Sequence, residues 1–232
     1  MSTTAILLCA GRGERLGAGL PKATVPLAGR PLFTWSLVVL QRAACIDAIV
    51  VVGPARTLRE LLAASGLAPA KVVAWVEGGE ERQHSVARGL AALPESCDLV
   101  AVHDCARALV SEAVVERAVT AAREHGAAIA AVPLADTLKR VEAGSIRGTP
   151  SREGLWCAQT PQVFRRDWLE AAHAAAGATA TDDAALVEAL GHTVHVAAGE
   201  ALNFKVTTSG DHALAEAWLA GRAAAPNEEA GR

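Results

Sequence analysis

The first 132 residues alternate short apolar runs with longer amphipathic segments. The apolar runs are nearly continuous, as expected of strands that are buried on both faces. They fall at 5–10, 46–52, 72–76, 99–102 and 127–132. The segments between them have the spacing of helices and fall at 31–44, 56–65, 82–93 and 112–125. This β-α-β-α order predicts an α/β fold with a mostly parallel sheet and helices on both faces.

The alternation stops between residues 136 and 156, where the chain is polar and glycines divide it into short runs. Such a stretch predicts an extended β-hairpin arm that protrudes from the main body. Arms of this kind often clasp a second subunit. We therefore expect a homodimer that forms through the arm.

The last third of the chain returns to strands and helices. The strands are expected at 162–164, 193–197 and 203–206, and the helices at 166–176, 182–190 and 211–220. Residues 181–183 form an N-cap group for the second of these helices, and Ser209 is expected to cap the third. Residues 1–222 are expected to form one domain, and 223–232 a flexible tail.

Composition narrows the class of protein. The chain has 232 residues, of which 51% are hydrophobic, so one α/β domain can have a full core. A net charge of −3 shows no overall basic excess, so nucleic-acid binding has no electrostatic support. No apolar stretch of about 18 residues is present, so no membrane span is expected. The odd number of cysteines, 5, without a C-x-x-C pair indicates reduced thiols and a cytoplasmic protein.

A glycine-rich loop with basic residues follows the first predicted strand. Gly11 and Gly13 let the backbone pass close to a bulky anion, and successive loop N–H groups attract phosphate. Arg15 and Lys22 add counter-charge. The loop lacks both the P-loop pattern and the third glycine of a dinucleotide-binding fingerprint. It predicts a triphosphate site, with a purely structural turn as the alternative.

Two further polar stretches follow predicted strands. Gly78 and Gly79 follow a strand, and Arg82 and Ser85 lie where the next helix is expected to begin. Together they are candidates for holding a base or ribose, with a serine-capped turn as the alternative. Asp104 lies at the carboxyl end of a strand, where a carboxylate binds substrate hydroxyls or Mg²⁺. Arg107 is placed to meet an anion, and an ion pair between Asp104 and Arg107 is the alternative.

The motifs of the chain resemble those of one enzyme family. Residues 10–22 are similar to the A-G-x-G-x-R-[LM]-x(4–5)-P-K loop of nucleotidyltransferases that activate sugars and sugar-like alcohols. The chain resembles the 2-C-methyl-D-erythritol 4-phosphate cytidylyltransferase family of the non-mevalonate isoprenoid pathway in the stretches E-R-Q-H-S-V, V-H-D-C-A-R, D-T-L-K-R, G-L-W-C-A-Q-T-P-Q and N-F-K-V-T. The resemblance runs from Ile6 to about Leu219. Cys105 and Ala108 depart from the family pattern, but both are small changes beside the charged groups.

This resemblance implies a single Rossmann-like nucleotidyltransferase domain that transfers CMP from CTP to 2-C-methyl-D-erythritol 4-phosphate. The products are 4-diphosphocytidyl-2-C-methyl-D-erythritol and pyrophosphate. Arg15 and Lys22 match the pair that neutralises the α-phosphorus and the departing pyrophosphate. Arg152 and Lys205 match the pair that holds the incoming phosphate in line. Mg²⁺, or another divalent cation, would bridge the triphosphate oxygens.

The resemblance also implies the binding residues. The acceptor alcohol would be surrounded by Asp104, Arg107, Thr137 and Thr160, and the CTP pocket would be formed by Ala10, Gly11, Gly13, Gly79 and Ser85. Because the predicted arm carries Thr137 and lies beside Arg152, the active site would be shared between two subunits.

Three other functions remain open from the residues. A ribitol 5-phosphate cytidylyltransferase would have the same phosphate loop and a different acceptor pocket. A sugar-1-phosphate nucleotidyltransferase that uses UTP, GTP or dTTP is disfavoured by the stretches at 81–85 and 154–156. A non-catalytic nucleotide sensor is disfavoured because four candidate catalytic cations are retained together.

Overall fold

A central β-sheet dominates the computed structural model, which describes residues 1–11, 13, 19–175 and 182–224. The strands of these residues, in chain order, are β1 (Thr3–Leu8), β2 (Pro26–Leu27), β3 (Arg30–Pro31), β4 (Ala48–Val52), β5 (Val72–Val76), β6 (Leu99–Asp104), β7 (Ala127–Pro133), β8 (Arg140–Glu142), β9 (Ser145–Gly148), β10 (Trp156–Arg165) and β11 (His195–Ala198). Seven of them form one sheet in the order β11-β7-β10-β6-β1-β4-β5. Only β10 runs antiparallel to its neighbours, so the prediction of a mostly parallel sheet is confirmed.

Helices cover both faces of this sheet. In chain order they are α1 (Leu32–Arg42), α2 (Ala55–Ala64), α3 (Arg82–Leu90), α4 (Glu112–His125), α5 (Arg166–Ala175), α6 (Asp183–Ala189) and α7 (Ser209–Ala224). Successive side chains of a strand point to opposite faces. Leu7 therefore packs in an apolar cluster with α1, α2, α4 and α7, whereas Ile6 packs in a second cluster with α3, α5 and α6.

Local sequence signals explain why α4 was predicted to the residue. The Ser111 hydroxyl accepts a hydrogen bond from the backbone N–H of Val114 at 3.2 Å, which caps the first turn. Gly126 ends the helix at φ +87°, a left-handed conformation that glycine adopts without strain. The Asp182 carboxylate caps α6 in the same way, by accepting from the backbone N–H of Ala185 at 3.0 Å. The predicted N-cap group is confirmed at Asp182.

Two predictions near the carboxyl end were wrong. Residues 203–206 form no strand, because their backbone N–H groups do not pair with a neighbouring strand: that of Asn203 donates to the carbonyl of Glu200 at 3.0 Å, and that of Val206 donates to the carbonyl of Ala106 at 2.8 Å. The last helix begins at Ser209, and its cap is Thr208 rather than Ser209. The Thr208 hydroxyl accepts from the backbone N–H of Asp211, and the Asp211 carboxylate accepts from that of Thr208.

The protruding arm is present as an antiparallel hairpin of β8 and β9 between the sheet strands β7 and β10. Its apolar side chains point to solvent, since Val141 is 54% exposed and Ile146 is 63% exposed. Residues 223 and 224, expected in the flexible tail, belong to α7, which continues to Ala224. Residues 225–232 lie outside the described part of the chain.

The sequence predicted that no segment spans a membrane and that the cysteines are reduced. Among the described residues, no helix is long and apolar enough to cross a membrane. All five cysteines are free thiols. Burial raises the pKa of the Cys9 thiol well above its ordinary value, so this thiol stays protonated.

Candidate active site

A cavity of about 490 Å³ opens at the carboxyl edge of the parallel strands. Loops that follow β1, β5 and β6 reach this edge together, because parallel strands end on the same side of a sheet. The volume is within the range of sites for small molecules, about 300–1,000 Å³. The lining residues are Leu8, Ala10, Gly11, Gly13, Lys22, Gly79, Glu80, Glu81, Arg82, Ser85, Asp104, Cys105, Ala106 and Lys205.

Close backbone packing explains the glycines around the first loop. A Cβ on Gly78 would lie 2.3 Å from the Cβ of Ala10, so this position admits no side chain without a shift of the loop. Gly13 adopts φ +73° beside Lys22, whose backbone N–H donates to the carbonyl of Gly11 at 3.0 Å. The loop thus holds Lys22 at the cavity, as the sequence predicted. Arg15, expected beside it, lies outside the described residues.

Ser85 and Gly79 line the cavity and also bond to each other. The backbone N–H of Gly79 donates to the Ser85 hydroxyl at 3.0 Å, and this hydroxyl donates to the carbonyl of Glu81 at 3.2 Å. The serine side chain is buried. Ser85 therefore closes the turn that leads into α3, as in the structural alternative, while the backbone of Gly79 faces the cavity.

Asp104 is held by two cations in the cavity. Its Oδ1 lies 3.2 Å from Nε of Arg82, and its Oδ2 lies 2.7 Å from Nζ of Lys205. Burial acts to raise the pKa of the Asp104 carboxyl, but the charges of Arg82 and Lys205 outweigh burial and hold the pKa well below its usual range. The carboxylate is thus ionised and oriented at neutral pH.

Arg107 does not form the ion pair with Asp104 that the sequence left open. Its guanidinium donates to the backbone carbonyls of Asn203 at 2.7 Å and Ala158 at 3.1 Å. These bonds connect the loop after β6 to the segment that carries Lys205. Arg107 braces the site in this structure, and its expected contact with the acceptor stays a prediction.

Arg82 is a functional residue that sequence reasoning underrated. It bridges two carboxylates, because its Nη1 lies 2.7 Å from Oδ2 of Asp183 while its Nε contacts Asp104. Burial acts to lower the pKa of Arg82, but the two carboxylates outweigh burial and raise it. The sequence signal was an Arg at the first position of a helix beside the cavity; its partner Asp183 is 101 residues away.

Two buried glutamines of β10 position this charged cluster. Gln159 accepts from the side-chain amide of Asn203 at 3.0 Å and so supports the segment that carries Lys205. Gln162 accepts from the backbone N–H groups of Asp183 and Ala184 at 3.2 Å and so supports the start of α6. These two glutamines of the family motif therefore support the cavity from behind.

Thr160, expected to contact the acceptor, is buried between two residues of β6. Its hydroxyl oxygen lies 3.1 Å from the backbone nitrogen of Asp104, which donates to it, and 3.0 Å from Nδ1 of His103. Burial lowers the pKa of His103 to about 4, so the imidazole is neutral at physiological pH. Thr160 thus holds the end of β6 in place.

We expect His103→Asn to remove part of the pH dependence of stability. An unfolded histidine titrates at about 6.5 and the folded one at about 4, so the unfolded state binds more protons between these values. The free energy of unfolding of the wild type should therefore fall by up to about 3 kcal/mol as pH falls through this window. Urea denaturation at several pH values measures how steeply the free energy of unfolding changes with pH in the wild type and in His103→Asn.

His84→Asn is the matched control, because His84 is exposed. The free energy of unfolding of His84→Asn should change with pH as steeply as that of the wild type. Equal slopes for the wild type and His103→Asn would contradict a neutral, buried His103.

The two arm residues expected at the site lie away from this cavity. Arg152 and Thr137 are exposed, and neither is among the residues that line the cavity. The Arg152 guanidinium donates to the carbonyl of Ala135 within the arm. Of the four cations predicted to act together, three are among the described residues, and two of these, Lys22 and Lys205, line the same cavity.

A protein-held metal centre is not evident at this cavity. Among the described residues, no group of three or more His, Cys, Asp and Glu side chains is arranged to hold a metal ion. Both carboxylate oxygens of Asp104 are already engaged by cations.

A glycine-rich loop at the carboxyl edge of a parallel sheet, with lysines around an ionised aspartate, defines a nucleotidyltransferase of the α/β class. The sequence profile of the family 2-C-methyl-D-erythritol 4-phosphate cytidylyltransferase (IspD) matches residues 3–221. The chain belongs to this family.

Individual relatives agree over nearly the whole chain. The 2-C-methyl-D-erythritol 4-phosphate cytidylyltransferase of Nocardia farcinica is 46% identical over 225 residues, which cover 96% of this chain and 96% of that protein. That of Geotalea uraniireducens is 44% identical over 228 residues, covering 94% and 97%. The crystal structure of the Thermus thermophilus enzyme is similar with a TM-score of 0.77 at 38% identity, covering 94% of this chain and 98% of that one.

Proposed function

We propose that the cavity at the carboxyl edge of the sheet is the active site for CTP-dependent cytidylyl transfer to 2-C-methyl-D-erythritol 4-phosphate. The chain is a cytidylyltransferase by family, and its relatives carry this activity in their names. One observation carries the assignment to this cavity: Lys22, Lys205 and Asp104 converge there beside the glycine-rich loop. The reaction produces 4-diphosphocytidyl-2-C-methyl-D-erythritol and pyrophosphate.

The nucleophile in this reaction is a phosphate oxygen of the acceptor. The second pKa of a phosphate monoester is about 6, so the acceptor phosphate is largely dianionic at neutral pH and needs no general base. The oxygen bonds to the α-phosphorus of CTP while the bond from this phosphorus to the β-phosphate oxygen breaks, and pyrophosphate leaves with that electron pair. The enzyme must bring two anions together, so fixed positive charge is the main requirement.

The cations of the chain divide this task. Lys22 and Arg15 are proposed to neutralise the α-phosphorus and the departing pyrophosphate. Lys205 is proposed to hold the incoming phosphate. The backbone of Ala10, Gly11, Gly13 and Gly79 lines the cavity and can approach CTP closely because it carries little side-chain bulk.

Magnesium is proposed to arrive with the nucleotide. The described residues provide no protein cage for it, so the triphosphate oxygens would supply most of its ligands, as is usual for Mg²⁺. When bound, the cation supplies charge neutralisation at the phosphates. Asp104 keeps its own cationic partners and remains available to orient the hydroxyl groups of the acceptor.

A homodimer is proposed to complete the site. Thr137 and Arg152 lie on or beside the arm, outside the cavity of their own chain. The arm also exposes Leu155 (43%) and Trp156 (49%) at its base, in addition to its tip. An arm with these side chains suits insertion into a second copy, where Arg152 of the partner subunit would hold the acceptor phosphate. A cytoplasmic location is expected for this dimer, since all five cysteines are free.

Pyrophosphate release tests the proposed reaction. The purified chain is given CTP and Mg²⁺ with 2-C-methyl-D-erythritol 4-phosphate or, in a parallel assay, with ribitol 5-phosphate. We expect kcat/KM to be at least about 10²-fold higher for the first acceptor, because polar groups in a fitted site reject a mismatched hydroxyl pattern. UTP and GTP serve as controls. A higher kcat/KM with ribitol 5-phosphate would contradict the proposed acceptor. No pyrophosphate release with any nucleotide would contradict the proposed cytidylyl transfer.

A further inference from the structure

A series of ion pairs leads from the cavity into the core of the protein and reaches a buried histidine. It starts at Lys205 and passes through Asp104 and Arg82, with contacts of 2.7 Å and 3.2 Å. It continues from Arg82 to Asp183 at 2.7 Å and ends at His173, whose Nε2 lies 3.0 Å from Oδ1 of Asp183. Only the first three members line the cavity.

Asp183 is the buried carboxylate of this series, and it connects Arg82 at the cavity to His173 of α5. Its side chain is 1% exposed, and burial of a carboxylate is unfavourable unless the charge is well paired. The neighbouring Asp182 already caps α6 through the backbone N–H of Ala185. The buried charge of Asp183 is therefore directed at Arg82 rather than at the helix end.

The two carboxylates fix the orientation of the Arg82 guanidinium. Nε faces Asp104 and Nη1 faces Asp183, so the planar group is held at two of its nitrogens. This matters when the acceptor arrives, because Lys205 must then share its charge with the incoming phosphate. Arg82 remains as the second cation that holds Oδ1 of Asp104.

We propose that Asp183 is a positioning residue for the acceptor, acting through Arg82 to keep the Asp104 carboxylate oriented toward the acceptor hydroxyls. The inference rests on the proposed function of the cavity. It predicts that loss of the Asp183 charge weakens use of the acceptor while use of CTP is largely spared, since Arg82 acts on Asp104, the residue proposed to orient the acceptor hydroxyls.

Asp183→Asn tests the proposal with little change in size. The Asn amide keeps one acceptor for His173 or Arg82 but loses the charge that holds the guanidinium. We expect KM for the methylerythritol phosphate to rise by about tenfold, the effect of one weakened charge-assisted hydrogen bond, with KM for CTP within about twofold of the wild type. Steady-state kinetics with each substrate varied in turn measure this split.

Asp182→Asn is the matched control, because it removes the same charge one residue away without a contact to Arg82. It should leave both KM values unchanged. Arg82→Lys is the second variant, since a single ammonium cannot bridge both carboxylates as a guanidinium does. It should produce the same rise in KM for the acceptor, and Asp183→Asn should add nothing to it.

The outcomes separate this inference from the proposed function. If the wild type uses the acceptor but Asp183→Asn behaves like Asp182→Asn, the positioning role is overturned and the reaction stands. Equal losses with CTP and with the acceptor also overturn it, because they indicate a general structural defect. If Asp183→Asn does not fold, Arg82→Lys alone decides: unchanged acceptor KM overturns the role. A wild type without activity overturns both proposals.

Discussion

Lys22→Ala is expected to lower kcat by about 10²-fold while KM for CTP changes by less than about threefold. The physical reason is that negative charge builds up on the departing pyrophosphate only as the bond to the α-phosphorus breaks. A cation that meets this charge stabilises the transition state more than the bound substrate. Initial rates of pyrophosphate release over a range of CTP concentrations separate the two constants.

Lys71→Ala is the matched control for this variant. Its ammonium donates to the carbonyl of Ala43 at 2.9 Å and is not among the cavity residues, so its kcat should stay within about twofold of the wild type. If Lys22→Ala raises KM for CTP and leaves kcat intact, Lys22 contributes only to substrate binding. Its assigned role in the transition state would then be wrong.

Mixing two inactive variants should restore activity if the site is shared between subunits. Lys22→Ala damages the cavity, and Arg152→Ala damages the arm that would enter the partner's cavity. Arg152→Ala alone should lower kcat/KM for the acceptor by about 10²-fold, as expected for the loss of a cation at the transferring phosphate. In a hybrid of the two variants, one of the two sites has neither substitution.

The mixed sample should therefore reach about a quarter of the wild-type activity, because random exchange makes half of the dimers hybrids with one intact site each. The measurement is pyrophosphate release after the two variants are denatured and refolded together. Variants with distinct tags show by co-purification that exchange took place. Activity no higher than the mean of the two separate variants, with exchange shown, would contradict the shared site.

Local patterns made most of the fold readable in advance. The helix at 112–125 and the strand at 72–76 were predicted to the residue, because the caps and the apolar runs that define them lie within the segments themselves. The segment 203–206 was mistaken for a strand because its composition is apolar, whereas a strand needs a neighbour to pair with. The chain there makes one backbone bond to the loop after β6 instead.

The candidate site was readable as a set of residues but not as an arrangement. The glycine loop, Lys22, Asp104 and Lys205 were all expected at one place, and the cavity brings these described residues together. The partner of Asp104 was not foreseen, since Arg107 is three positions away in sequence and Arg82 is twenty-two. In the fold, the Arg107 guanidinium donates to backbone carbonyls, and Arg82 forms the ion pair with the Asp104 carboxylate.

By itself, the sequence determined the alternation of strands and helices, the position of the glycine-rich loop proposed to bind phosphate, and the family to which the chain belongs. These properties depend on residues that are close together in sequence, so periodicity, composition and local motifs are enough to predict them. Only the tertiary structure decided that Arg82 and Lys205 pair with Asp104, and that the buried Asp183 pairs with Arg82. Ion pairs between residues 101 positions apart form where folding brings both groups out of water together, and no local pattern encodes that distance.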